Sequence, residues 1–292
     1  MGKITLVVPY HNEEANLEEC IHSILGQTEM PNEVIFIDNN STDNSSEVVS
    51  RYTSQFNVSV RILEEGKKGI PFARNRGIRE SGSDYVAFLD ADCVAPTDYI
   101  SSLLAGFGMG VQAVTGRYVL VGEDMALAKH RQAVWEHHFG WDKESRMIDH
   151  LNDQDGTLVS GCSAFDRKAL LSIGGFDTKF LYMDDVAVSE RFYRNGYRAF
   201  MDPHISVLHK IDTSESSIFL KDLHYGYDHA LINLNIGAKR VRLYPNHFAI
   251  LGKSIGKSLV KGDPQAFYQF RTLVYHKIGL FMRGLTIGGM YI

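Results

Sequence analysis

The chain has few cysteines, no excess of basic residues and no long apolar segment. Its 3 cysteines in 292 residues are far apart, and none has the spacing of a metal site or of a disulfide framework. We therefore expect Cys20, Cys93 and Cys162 to be reduced, small apolar side chains in a reducing compartment. The formal net charge of −5 offers no basic surface to cover phosphates, which argues against a nucleic-acid partner.

No apolar segment reaches the roughly 18 residues of a membrane-spanning helix. Residues 278–292 come nearest, but Arg283 and several glycines interrupt them. The amino terminus enters the strand-like segment Ile4–Val8 without the longer apolar stretch of a signal peptide. We expect a cytoplasmic protein. Basic residues among apolar ones in the tail suit either a solvated helix face, which is favoured, or a peripheral contact with the inner face of the membrane.

The first hundred residues alternate between short apolar segments and helical patterns. Strands are predicted at Ile4–Pro9, Glu33–Asp38, Val58–Leu63 and Tyr85–Asp90. Helices are predicted between them, at Ala15–Leu25, Ser45–Tyr52 and Ile70–Glu80. This alternation indicates an α/β fold with a Rossmann-like, mostly parallel sheet and helices on both faces.

The rest of the chain is less regular. Further strands are predicted at Val111–Val121 and Thr157–Phe165, and helices at Met125–Trp135, Arg167–Ile173 and Asp185–Asn195. Beyond Asp212 the pattern is mainly helical, with segments at 217–237, 247–261 and 265–284. We therefore expect a helical C-terminal segment after the sheet.

Polar residues follow three of the predicted strands. The first strand continues into Tyr10–Glu13, the second ends at Asp38 and the segment 39–43, and the fourth ends in Asp90-Ala91-Asp92. Ligands of parallel α/β sheets bind beyond the carboxyl ends of the strands, so these three sets should meet at one edge. The alternative for any single set is an ordinary turn in contact with water.

Asp90 and Asp92 predict a metal site. In extended backbone, residues two apart point to the same side, so both carboxylates face one place. Two carboxylates in a small volume require a nearby cation. Oxygen ligands favour a hard divalent ion, Mg²⁺ or Mn²⁺, which keeps positions for phosphate oxygens.

Asp38 and Arg74 are candidates for nucleotide contacts. The Asp38 carboxylate can accept hydrogen bonds from a base or a ribose; its alternative is a turn before the helix at Ser45. Arg74 lies in the segment Gly69–Gly77, which opens a helix with small residues and arginines and suits a diphosphate or ribose. The alternative for this segment is a solvated basic face.

Taken together, four segments resemble the family 2 glycosyltransferases in order and spacing: Val7–Glu13, Ile37–Asp43, Ala73–Gly77 and Phe88–Asp92. The resemblance covers residues 4–211 and implies the GT-A fold. It implies that the nucleotide-sugar pocket is lined by Pro9, Tyr10, Glu13, Asp38 and Arg74. It also places Asp90 near the ribose and the metal, with Asp92 as the direct metal ligand.

The same resemblance divides the chain into domains. Residues 1–211 would form the glycosyltransferase domain, with a nucleotide-binding half at 1–107 and an acceptor half at 108–211. Residues 212–292 would form a helical C-terminal extension.

The downstream half also resembles the family. Gly161–Asp177 is similar to its acceptor-side segment, and Tyr182–Val186 to its acidic pair at a helix start. The resemblance implies that Asp185 is the catalytic base, which takes the proton of the acceptor hydroxyl. Ala187 stands where many members carry a further acid, so Asp184 stays open as the base. Helix capping is the structural alternative for the pair.

His209 follows a strand-like segment, where family members often carry a histidine near the metal or diphosphate. The resemblance makes it a candidate metal ligand, and a structural hydrogen-bonding role is its alternative. Trp135 and Trp141 suit either stacking on a sugar acceptor or packing of a helix on the sheet. Packing is favoured.

These observations predict an inverting glycosyltransferase. It would transfer a sugar from a nucleotide diphosphate donor, preferably UDP-linked, to a hydroxyl of a saccharide or lipid-linked acceptor, with Mg²⁺ or Mn²⁺. One alternative is a sugar nucleotidyltransferase, but the segment His11–Glu14 is acidic where such an enzyme wants a glycine-rich, basic loop. The other is a non-catalytic nucleotide-sugar-binding protein, which the retained acidic residues disfavour.

Overall fold

The computed structural model describes residues 2–141, 144–151 and 156–214, together with Lys221 and His224. Apart from those last two residues, which are helical, the helices predicted after residue 212 lie outside the described part of the chain. The basic segment of the tail lies outside it as well. Within the described residues, no helix is both long enough and apolar enough to cross a membrane.

Nine strands and seven α-helices are described, with a short 3-10 helix at Thr53–Gln55. The strands are β1 Ile4–Tyr10, β2 Glu33–Asp38, β3 Ser59–Glu64, β4 Tyr85–Leu89, β5 Cys93–Val94, β6 Ala113–Val121, β7 Arg146–Ile148, β8 Cys162–Asp166 and β9 Ala199–Lys210. The helices are α1 Leu17–Leu25, α2 Ser45–Tyr52, α3 Ile70–Glu80, α4 Tyr99–Phe107, α5 Met125–Phe139, α6 Arg167–Ser172 and α7 Asp184–Arg194.

The first four strands in sheet order, β3-β2-β1-β4, are parallel, as the alternating sequence pattern predicts. Their register aligns the strand ends, because Tyr10 of β1 pairs with Asp38 of β2 and Val7 of β1 with Phe88 of β4. The polar segments that follow β1, β2 and β4 therefore meet at one edge of the sheet, as expected.

The remaining strands extend the sheet in the order β4-β8-β6-β9-β5, with β7 on β9. β8 joins β4 and β6 in antiparallel pairs, and β5 pairs antiparallel with β9. The last of these pairs aligns Cys93 with His209. A histidine far along the chain is thereby brought beside the Asp90-Ala91-Asp92 segment.

The core lies on both faces of the parallel strands. Every residue of β1 is buried, as sheets covered by helices on both sides require. Gly77 of α3 allows close packing, because a Cβ there would lie 2.4 Å from Cγ1 of Val7. The three cysteines are free and buried.

One predicted strand is shorter in the structure than in the sequence. The apolar segment Thr157–Phe165 pairs as a strand only from Cys162 onwards, where β8 begins. A tight turn precedes the strand, in which Cys162 N donates to Val159 O at 2.9 Å. The apolar residues before the turn are buried without strand pairing. Their apolar character predicts burial correctly but does not by itself predict a strand.

The chain separates into two compact units, Met1–Leu120 with Val134–Lys210, and Val121–Ala133 with Ile211–Ile292. The first unit holds the sheet edge described above. In the second, Ile211 N donates to Val121 O at 2.8 Å and Asp124 N to Oγ1 of Thr213 at 3.1 Å. The domain boundary after residue 211 and the two halves of the preceding domain remain predictions.

Candidate active site

The ends of β1 and β2 place a tyrosine and a carboxylate around one serine. Ser46 Oγ donates to Oδ2 of Asp38 and lies 2.9 Å from the hydroxyl of Tyr10. Burial and the nearby Asp38 raise the pKa of Tyr10 to about 12, against the opposing hydrogen bond from Ser46. Oδ1 of Asp38 accepts Ser41 N at 2.8 Å, so this carboxylate also stabilises the turn before α2, the alternative role considered for it from the sequence.

Pro9 and Glu13 flank this group. Pro9 is buried and pairs with Ile37 of β2. Glu13 begins the turn into α1, where its Oε2 accepts Asn16 Nδ2 at 2.8 Å. Its backbone N donates to Ser45 Oγ at 2.8 Å. All four residues predicted to line the pocket from β1 and β2 thus lie at one corner of the sheet edge.

Arg74, on the second turn of α3, lies between two carboxylates. Its Nη2 donates to Oδ1 of Asp90 at 2.7 Å and its Nη1 donates to Oδ2 of Asp184. Only 4% of the Arg74 side chain is exposed. Burial by itself would lower the pKa of Arg74, but Asp184 and Asp90 outweigh it and raise the pKa above its usual value. Its guanidinium is therefore charged.

The second oxygen of Asp90 is also engaged. Tyr118 of β6 donates its hydroxyl to Oδ2 of Asp90 at 2.9 Å. Gly161 leaves room for this pair, because a Cβ at that position would lie 2.0 Å from Oδ2 of Asp90 and 2.2 Å from the Tyr118 hydroxyl. Burial and Asp90 raise the pKa of Tyr118 well above its usual value, so its hydroxyl stays a donor.

Asp92 and His209 lie together where β5 pairs with β9. His209 Nε2 is 3.1 Å from Oδ2 of Asp92, and Cys93 Sγ donates to Oδ1 of the same carboxylate at 3.6 Å. One ligand atom from each of these three residues lies within 4.8 Å of the others. Carboxylate oxygen and imidazole nitrogen suit Mn²⁺ and similar divalent ions, so the donor set fits the predicted metal.

The acidic pair occupies the first turn of α7. Burial raises the pKa of Asp184, while its ion pair with Arg74 opposes the rise. Asp185 is half-buried, and its Oδ1 accepts Val186 N at 2.7 Å. Burial, together with the negative charge of Asp184, raises the pKa of Asp185 to about 7. The two neighbouring acids therefore differ: Asp184 is paired with the Arg74 guanidinium, whereas Asp185 has a pKa near neutral pH.

Two asparagines that the sequence analysis included only within motif segments hold the surrounding loops. Asn75 receives Phe176 N on its Oδ1 and donates Nδ2 to Phe176 O, both at 2.8 Å. Asn39 donates to Lys67 O at 2.7 Å and accepts Gly69 N at 2.7 Å. These bonds fix the segment before α7 and the segment before α3. Their side chains mimic backbone partners, which sequence motifs do not reveal.

The tryptophans pack beside the metal candidates. The ring centroid of Trp141 lies 6.2 Å from that of Tyr118, and that of Trp135 lies 6.4 Å from that of His209. Tyr118 itself contacts His209, at 4.5 Å between ring centroids. Trp141 is buried, in agreement with the packing interpretation for this residue.

The sequence model of the family described as "Glycosyl transferase family 2" matches residues 5–174. This match spans more than half of the 292 residues. The chain belongs to glycosyltransferase family 2. The resemblance seen in the four motif segments is thereby confirmed.

Curated glycosyltransferases are similar to the chain over part of their length. The uncharacterized glycosyltransferase YibD of Escherichia coli (strain K12) is 39% identical over 99 residues, which cover 34% of this chain and 28% of that protein. A poly-beta-1,6-N-acetyl-D-glucosamine synthase of Staphylococcus aureus (strain COL) is 26% identical over 202 residues, covering 68% and 48%. The chain thus spans about half or less of these curated relatives.

Solved glycosyltransferase structures share the fold. The mannosyltransferase PcManGT from Pyrobaculum calidifontis, in complex with GDP-Man and Mn²⁺, has a TM-score of 0.70 at 19% identity, covering 97% of this chain and 87% of that one. S. aureus TarS in complex with UDP-GlcNAc has a TM-score of 0.60 at 15% identity, covering 99% and 93%. The expected GT-A fold is confirmed.

The structure brings the predicted site residues of this family 2 glycosyltransferase into three groups at the sheet edge. Asp38 lies with Tyr10, Pro9 and Glu13; Arg74 joins Asp90 to the pair Asp184 and Asp185; and Asp92 lies with His209. Their individual roles remain predictions. Tyr118 was missed altogether, and Gly161 appeared only as part of a motif, because nothing in a strand pattern shows which residue faces a carboxylate.

Proposed function

We propose that this glycosyltransferase transfers a sugar, with inversion, from a nucleotide diphosphate sugar to an acceptor hydroxyl. The observation that carries the proposal is the convergence of Asp38, Asp90 and Asp92 at one edge of the sheet, with Arg74 joining Asp90 to Asp184 of the acidic pair. A UDP-linked donor is favoured, because TarS binds UDP-GlcNAc and the related synthase makes an N-acetylglucosamine polymer. Because PcManGT binds GDP-Man, a GDP-linked sugar is the competing candidate for the donor.

The corner formed by β1 and β2 is the proposed nucleotide pocket. Asp38 offers carboxylate oxygens to a base N–H or a ribose hydroxyl, and Tyr10 keeps its proton near neutral pH because its pKa is about 12. Pro9 and Glu13 border the same corner. Asp90, at the end of β4, continues the pocket toward the ribose.

Asp92 and His209 would hold Mg²⁺ or Mn²⁺. A bound divalent ion would offset the negative charge that develops on the departing diphosphate. This placement agrees with the donor atoms at 3.1 Å from one another and with the Mn²⁺ in PcManGT. The imidazole and carboxylate are preorganised by strand pairing, which lowers the cost of assembling the site.

Asp185 is the proposed base. Inversion requires one carboxylate to take the acceptor proton as the oxygen attacks the anomeric carbon. Asp184 is poorly suited, because one of its oxygens is bound to Arg74 and its side chain is buried. Asp185 accepts Val186 N at 2.7 Å and has a pKa of about 7, which suits proton transfer near neutral pH. The acceptor is a saccharide or lipid-linked hydroxyl.

A panel of nucleotide sugars tests the proposal. We expect UDP-GlcNAc, UDP-glucose or GDP-mannose, tested with Mn²⁺, to raise the melting temperature, since a ligand at about 100 times its Kd stabilises by about 2.7 kcal/mol. The anomeric configuration of the product, read by NMR, should be opposite to that of the donor. Absence of a shift with every nucleotide sugar and with UDP and GDP, with or without Mn²⁺, would contradict the proposal.

A further inference from the structure

Four side chains form a continuous hydrogen-bonded chain, which we call the Arg74 network: Tyr118, Asp90, Arg74 and Asp184. Tyr118 donates to one oxygen of Asp90, Arg74 donates to the other at 2.7 Å, and the far side of the guanidinium donates to Asp184. Asp90, the second member, lies two residues before the metal candidate Asp92. Asp184, the last member, lies next to Asp185, the proposed base.

The network has little freedom to move. Arg74 and Asp184 have 4% and 7% of their side chains exposed, and breaking a buried charge pair leaves an uncompensated charge. Phe176 lies against the guanidinium, 5.5 Å from ring centroid to Cζ, and Oδ2 of Asp90 lies so close to Gly161 that a Cβ there would be 2.0 Å away. A guanidinium held in this way by two carboxylates is poorly placed to leave them for a nucleotide.

We infer that the Arg74 network is a positioning device: it couples nucleotide binding at the end of β4, beside Asp90, to the position of the first turn of α7. Arg74 is then a positioning residue and not a nucleotide ligand. A planar guanidinium can bridge two carboxylates, whereas a lysine presents one compact charge. Asp90 and Asp184 are consequently held at a fixed separation. The inference rests on the proposed function, because it assumes that the donor binds beside Asp90.

Hydrogen exchange measures this coupling without an acceptor. UDP with Mn²⁺ should slow amide exchange at least fivefold in peptides covering residues 182–190 of the wild-type protein. In Arg74→Lys and Tyr118→Phe the same ligand should slow exchange there less than twofold. Calorimetry with UDP and Mn²⁺ on each variant shows how much ligand is bound, and exchange is compared at equal occupancy.

Two variants provide matched controls. Arg61 also bridges two carboxylates, Glu33 at 2.7 Å and Glu80 at 3.3 Å, but it lies on β3, so Arg61→Lys should keep the protection. Tyr193 donates its buried hydroxyl to Gly156 O at 2.7 Å and lies at the opposite end of α7. Tyr193→Phe should keep the protection as well, although it removes a comparable hydrogen bond.

A mutant cycle gives a second readout, the turnover number for hydrolysis of the nucleotide sugar that stabilises the wild type most. Tyr118→Phe and Asp184→Asn should each lower kcat at least tenfold. The kcat of the double variant should be no more than about threefold below that of the less active single variant, because members of one network do not act independently. The pair Tyr193→Phe and Asp184→Asn should instead show multiplying losses.

The outcomes separate the inference from the proposed function. If the wild type binds UDP with Mn²⁺ but residues 182–190 gain no protection, or if Arg74→Lys retains it, the inference is wrong while the proposed function stands. Multiplying losses for Tyr118→Phe and Asp184→Asn would also overturn it. If the wild type binds no nucleotide at all, the proposed function fails, and the inference fails with it.

Discussion

His209 Nε2 lies 3.1 Å from Oδ2 of Asp92, although the two residues are 117 positions apart in the chain. The pairing of β5 with β9 produces this contact, since it sets Cys93 opposite His209. Asp92 directly precedes β5, so this strand pairing holds its carboxylate beside the imidazole, where both groups can bind a divalent ion. The first prediction follows from this pair.

Asp92→Asn should remove the metal dependence of nucleotide binding. In the wild type, replacing EDTA by Mn²⁺ should tighten UDP binding at least tenfold, about 1.4 kcal/mol, because the ion links the carboxylate to the diphosphate. In Asp92→Asn the ratio should fall below twofold by calorimetry. Asp98→Asn, an exposed acid at the start of α4, should behave like the wild type. A tenfold Mn²⁺ effect in Asp92→Asn would argue against Asp92 as the ligand.

Turnover should depend on pH with an acidic limb near 7. Asp185 acts as a base only when ionised, and burial together with Asp184 raises its pKa to about 7. Asp185→Asn should keep UDP binding and lose kcat by about 10²–10⁴-fold. Asp184→Asn should move the limb to lower pH, because it removes the neighbouring negative charge. A limb that stays in place in Asp184→Asn would contradict this assignment.

The raised pKa of Asp185 also has a cost in stability. When a carboxyl group has a higher pKa in the folded state than in the unfolded state, the free energy of unfolding of the protein falls as the pH rises from about 4 to about 7. Asp185→Asn should therefore increase the free energy of unfolding above pH 7, on the order of 1 kcal/mol because the side chain keeps contact with water. The gain should vanish near pH 4. Urea unfolding at both pH values measures it, with Asp98→Asn as the unchanged control.

Gly161→Ala should damage the site through Asp90. The new Cβ would lie 2.0 Å from Oδ2 of Asp90, so the carboxylate or the backbone must shift, at a cost of about 1–3 kcal/mol. We expect weaker UDP binding and a lower melting temperature. Gly82→Ala is the matched control, because a Cβ there meets nothing within 4 Å. Unchanged affinity and stability in Gly161→Ala would show that Asp90 has more freedom than its contacts indicate.

The strand ends were predictable from the sequence. A buried apolar strand that stops at Asp38 or Asp90 must deliver that carboxylate to the carboxyl edge of a parallel sheet, since strand direction and register follow from the alternating pattern. The family motifs are local in sequence for the same reason. Outside the parallel strands, the strand boundaries were predicted less accurately: the strand predicted from Thr157 begins only at Cys162.

The partners of those carboxylates were not predictable. Arg74 and Asp184 are 110 positions apart, and Asp90, directly after β4, is 28 positions from Tyr118 on β6. Such contacts depend on antiparallel pairings in the second half of the sheet and on which face of α7 turns inward. No spacing rule records either of them.

The sequence by itself determined the family, the parallel sheet and the three acidic segments at its edge, because short-range patterns of apolar and polar residues encode them. Only the tertiary structure decided how the acids differ. Asp184 is bound to Arg74, Asp185 is left with a pKa of about 7, and Asp92 is joined to His209. Burial and the position of one guanidinium make that distinction, and both arise only when distant segments pack together.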